Sequence, residues 1–116
     1  MSSGSSRASR AIINLINLIK DEKLDESIQM IDSIMIENQN LVQKRTPRIY
    51  KDNIKNLFNS ILFYDKDVLL EYMVINYKEI TLDIRDELIN AAKNIYYSKK
   101  CLILLEDLEN RDELYI

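Results

Sequence analysis

The stretch TPRIYKDNIKNLFNSILFYDKD, residues 46–67, carries both ends of one helix and sets the reading of its neighbours. Thr46 before Pro47 reads as an N-cap followed by proline at the first helical position, where a missing N–H costs nothing. Ile54, Leu57, Phe58, Ile61 and Leu62 then recur every three or four residues, the buried stripe of a helix. YDKD at 64–67 is a short polar link in which Asp65 or Asp67 can cap whatever follows.

The same period extends in both directions. Upstream, Ile12, Leu15, Ile16 and Ile19 share a face, with Asn14 and Asn17 opposite. KDEK at 20–23 separates that helix from a second one marked by Leu24, Ile28, Ile31 and Met35, with Ile34 beside them. Downstream, Val68, Leu69, Tyr72, Met73 and Ile75 or Asn76 carry a fourth helix to about Tyr77. A fifth is expected from Thr81 or Asp83, with Asp83, Asp86 and Glu87 in its first turn, the charge sign that the helix dipole prefers. Its face is Ile84, Leu88, Ala91, Ala92 and Ile95. Ser98 is placed to cap a last helix with a core of Cys101, Leu102, Leu105 and Leu108. The expectation is an all-α domain over residues 9–116 of about six antiparallel helices. Its links are short, and the arrangement is either a compact bundle or a short stack of helical hairpins. Residues 1–8 read as a flexible Ser-rich tail.

Composition removes several chemistries. There is no histidine or tryptophan, and the one glycine, Gly4, lies in the tail. Without glycine a phosphate-cradling loop, a dinucleotide fingerprint and tight hairpin turns are excluded. Without histidine the usual general base and the commonest zinc ligand are gone. The chain therefore reads as not an enzyme, with no catalytic residue, metal or cofactor assigned. A net charge of −3 argues against non-specific nucleic-acid binding. No apolar run approaches the length of a membrane span. A single cysteine fits a reducing intracellular setting, cytoplasmic or nuclear. Cys101, inside CLILL, reads as a buried, inert thiol.

A search for internal repeats gives two slides. A shift of 33 lays LFYDKDVLLEY (62–72) over IYYSKKCLILL (95–105), and a shift of 44 lays LIKDEKL (18–24) over LFYDKDV (62–68). Helical hairpins at such spacings are a mark of stacked repeats, and AAKN at 91–94 resembles the inner helix of an ankyrin repeat. The resemblance covers about 30 residues and departs at three places. DELIN stands where the T-P-L-H turn belongs, Ile95 takes a glycine position, and Lys99 and Lys100 take apolar ones.

One cluster stands out as a candidate site. Lys44, Arg45, Arg48, Lys51 and Lys55 crowd together, opposed only by Asp52. On a helix starting at Pro47, Arg48, Lys51 and Lys55 share a face turned away from Tyr50, Ile54, Leu57 and Ile61. Cations in a first turn oppose the helix dipole, so folding alone does not ask for them. The same residues also suit a plain solvated helix start. Seven tyrosines, among them Tyr64, Tyr72, Tyr96 and Tyr97 near the links, fit either an aromatic surface or a core edge. The acidic EDLENRDELYI at 106–116 offers a counterpart for the basic cluster of a second copy. The expected function is a non-enzymatic protein–protein interaction module with a protein partner, self-association included. The alternative is a nucleic-acid or phosphate-binding domain using the basic cluster at 44–55.

Overall fold

The computed structural model describes the backbone of residues 3–43 and 47–114, and the side chains of residues 10–39 and 52–108. Among these residues seven helices and no strand are present: α1 (Ser3–Lys20), α2 (Leu24–Gln43), α3 (Pro47–Phe63), α4 (Asp67–Asn76), α5 (Lys78–Asp83), α6 (Arg85–Asn94) and α7 (Lys99–Leu114). The all-α expectation holds, with one short helix more than foreseen. The chain divides into two compact units, Met1–Ser60 and Ile61–Ile116, the division falling within α3.

In the first unit α1 packs on α2. Leu15 and Ile19 are buried on α1, and Ile31, Ile34 and Met35 on α2, so the three- and four-residue spacing does select the inner face. Leu24, at the first position of α2, is 45% exposed. Pro47 opens α3, and Ile54, Leu57 and Phe58 are buried as the stripe required. Asn38 is the polar exception, buried on α2 beside these aliphatic groups. Its Nδ2 donates to the Ile34 carbonyl at 2.8 Å, and its Oδ1 accepts from Asn53 Nδ2 of α3 at 3.0 Å. A buried amide left unsatisfied would cost about 1–3 kcal/mol, so the pair fixes how α2 and α3 meet.

The second unit packs α7 against α6 and α4, with α5 touching both of its neighbours. Its buried side chains include Ile61, Leu62, Leu69, Leu70, Met73, Leu88, Ala92, Cys101, Leu105 and Leu108. Three sequence expectations need correcting here. On α4 the buried residues are Leu69, Leu70 and Met73, whereas Val68 and Ile75 are 52% and 69% exposed. VLL and MVI make that helix apolar on every side, so periodicity had no single stripe to find. Thr81 does not start a helix but sits inside α5, fully buried. Its Oγ1 reaches the Tyr77 carbonyl at 2.8 Å and the Met73 carbonyl at 3.2 Å, closing the bend between α4 and α5. Asp83 accordingly ends α5 instead of opening the next helix, and only Asp86 and Glu87 lie in the first turn of α6. Ile95 is 59% exposed, not part of the core.

Candidate interaction surface

Sharp turns in a chain with no glycine after Gly4 must place other residues in the left-handed region. Glu22, Asp65 and Tyr97 do so, with φ of 58°, 51° and 54°. For an L-residue this costs about 1–2 kcal/mol, less for Asp, whose short polar side chain tolerates it. At Asp65 the backbone closes α3 with two bonds: Asp65 N–H to the Leu62 carbonyl and Lys66 N–H to the Ile61 carbonyl, both 3.0 Å. This is the helix-ending pattern usually built on glycine.

The left-handed backbone aims the Asp65 side chain at the start of α7. Its Oδ2 accepts from the Lys100 N–H at 3.2 Å and its Oδ1 from the Cys101 N–H at 2.9 Å, 35 and 36 residues away in sequence. These are the two amide groups that an N-cap side chain normally satisfies. Ser98 occupies the N-cap position itself, yet its hydroxyl donates elsewhere, to the Leu62 carbonyl at the end of α3. The sequence suggested that Ser98 caps α7 and that Asp65 or Asp67 caps α4. Instead Asp65 caps α7, Ser98 ties back to α3, and α4 has Lys66 at its N-cap position with no side-chain cap hydrogen bond. The two links are clasped in both directions.

Cys101 lies under this clasp, with no solvent exposure. Burial pushes its thiol pKa far above the ordinary value. The charge and hydrogen bond of Asp65 and the charge of Asp67 push the same way, and Lys100 opposes them without prevailing. The thiol stays protonated and inert, as its place in an apolar run implied. Among the described residues no three His, Cys, Asp or Glu side chains converge to hold a metal ion. No described helix is long and apolar enough to cross a membrane.

Outside the clasp lies an aromatic cluster. The ring of Phe63 meets Tyr64 edge-on at 4.8 Å and Tyr96 at 6.0 Å. Phe63 is 62% exposed and Tyr97 is 75% exposed, while Tyr64 and Tyr96 are half-buried. Exposed Lys93, Lys99 and Lys100 are close to this cluster in the chain. Of the tyrosines named from sequence, Tyr64 and Tyr96 are brought together. Tyr72 pairs instead with Tyr77, at 6.3 Å. Phe63 was not singled out from sequence: it directly follows the buried Ile61 and Leu62, and only the outward turn of its ring distinguishes it.

The basic cluster has a different standing. Lys44 and Arg45, and the side chains of Arg48 and Lys51, lie outside the described residues; Lys55 is exposed on α3 and engaged in an interaction of its own. No protein-family model, curated protein or solved structure matches the chain.

Proposed function

We propose that the chain is a non-enzymatic helical protein–protein interaction module, and that the aromatic turn of its second unit is the surface that meets the partner. The observation that carries this reading is Tyr97. Its left-handed backbone closes a turn that a smaller residue would close at less cost, and its bulky ring, 75% exposed, adds nothing to packing. Such local misfits concentrate where a protein binds something. It follows Tyr96 and the exposed Ile95 in the chain, and Tyr96 meets the ring of Phe63, which also meets Tyr64, an apolar group of the kind that anchors interfaces. The neighbouring lysines favour a partner with acidic groups around an apolar anchor.

The test is affinity capture with the wild-type chain and with Tyr97→Gly. The expected result is a protein retained by the first and lost, by tenfold or more, from the second. Retention that is unchanged by the substitution contradicts the reading. Retention of nucleic acid that collapses steeply with added salt would instead favour the rival use of the basic cluster at 44–55.

A further inference from the structure

The charges that open α7 have the wrong sign for the start of an isolated helix: Lys99 and Lys100 stand there and no acidic residue lies in its first turn, while Glu106 and Asp107 follow at mid-helix. Neither lysine has an acid three or four residues on, since those positions hold Leu102, Ile103 and Leu104. Between the two charge pairs sits Ile103, 69% exposed on the outer face of a helix whose inner face is Cys101, Leu105 and Leu108.

This pattern is self-complementary in one arrangement. Lys99 and Glu106 are a heptad apart and so lie on one side of Ile103; Lys100 and Asp107 are likewise a heptad apart and lie on the other. When two copies of α7 run antiparallel about a two-fold axis beside Ile103, each residue faces its own heptad-mate on the other copy. Lys99 then meets Glu106 of the second copy, Lys100 meets Asp107, and the two Ile103 side chains pack at the centre. The separations agree with helix geometry: a heptad spans about 10 Å along the axis, and packed helices lie about 8–10 Å apart. The basic start of each helix comes to lie beside the acidic stretch of the other, so each helix start gains a neighbour of the sign its dipole prefers.

We infer that the second copy of this chain is a partner, docked through the outer face of α7 in an antiparallel two-fold contact centred on Ile103. The inference rests on the interaction-module reading and adds to it a second surface, apart from the aromatic turn, with its own occupant. With one central aliphatic residue and flanking ion pairs, the contact is a weak, concentration-dependent one that salt loosens.

Sedimentation equilibrium on the full chain, from about 10 μM to 1 mM at low salt, tests it. The wild type is expected to form dimers at the upper end of that range. K99E/K100E and E106K/D107K should each self-associate at least tenfold more weakly, since every ion pair becomes a repulsion. An equimolar mixture of the two should recover the dimer, because one is acidic and the other basic at both ends. Misfolding does not explain such a result: only two folded chains of complementary charge recover the dimer on mixing, and circular dichroism should show each variant to be as helical as the wild type. A wild type that stays monomeric throughout overturns the inference, as does a mixture that stays monomeric or a charge variant that dimerises like the wild type. If a different protein is captured through Tyr97 while no dimer forms, the interaction reading stands and the second copy is wrong.

Discussion

The turn at Glu22 and the turn at Asp65 share one backbone and differ in what hangs on it. Each ends a helix with a left-handed residue and the same two hydrogen bonds: Glu22 N–H to Ile19 and Lys23 N–H to Leu18 match Asp65 to Leu62 and Lys66 to Ile61. Around Glu22 the chain simply reverses. The Lys23 carbonyl takes the Ser27 N–H at 2.9 Å and its hydroxyl at 2.7 Å, and these bonds stay within the turn. Around Asp65 the turn also starts a helix 35 residues further on and is held in return by Ser98. The left-handed glutamate ends a helix within its own turn, whereas the left-handed aspartate also caps a helix distant in the chain.

The comparison breaks first at Asp65. Asp65→Ala leaves two α7 amide groups without their acceptor and keeps the strained backbone, so it should cost about 2 kcal/mol in urea unfolding. Asp65→Asn, which suits the left-handed region and retains an oxygen, should recover more than half of that. An alanine variant as stable as wild type would show that the clasp does not hold α7.

Beneath the clasp, Cys101 sharpens the contrast through pH. Its folded-state pKa is raised, so the native chain keeps a proton that the unfolded chain releases above about 8.5. The unfolded state therefore binds fewer protons there, and stability that is intact at neutral pH falls as pH rises, by up to about 1.4 kcal/mol per unit. Cys101→Ala, less stable at pH 7 through lost packing, should draw level with the wild type by about pH 10. Parallel stability curves for the two proteins would count against the buried, proton-holding thiol.

The smallest effect belongs to the other turn. Glu22→Gly relieves left-handed strain at an exposed position at the expense of its side-chain interaction and of the freedom glycine gives the unfolded chain, so stability should stay within about 0.5 kcal/mol of the wild type. Asp65→Gly relieves the same strain but loses the cap and should be clearly destabilising.

What could be read from sequence follows the same division. α3 was legible because Thr46-Pro47 marks a start and Ile54, Leu57, Phe58, Ile61 and Leu62 form one stripe. α4 was not, because its apolar residues face every direction. The absence of glycine was read for the chemistry that it excludes, and its conformational consequence passed unnoticed: Glu22, Asp65 and Tyr97 must take up the left-handed turns themselves. The three left-handed positions lie 43 and 32 residues apart, each one short of the repeat slides of 44 and 33. Between the last two turns lie three short helices where the first two enclose two long ones, so similar turns do not make similar hairpins. The clasp itself left no local trace. Asp65 and Ser98 each looked like the cap of the helix beside it, and only tertiary packing exchanges their partners. The aromatic surface was half visible, as tyrosines gathered near links. The charge inversion along α7 was visible only as an acidic end and a pair of lysines, without the exposed isoleucine that joins them.

The most direct test of the account measures stability and partner binding together on Tyr97→Gly. If Tyr97 is kept for an interface and not for the fold, the variant melts at the wild-type temperature or a few degrees above it, while retention of the partner falls at least tenfold. A variant that loses stability while binding its partner undiminished would contradict the claim, and the strained, exposed ring would be part of the fold after all.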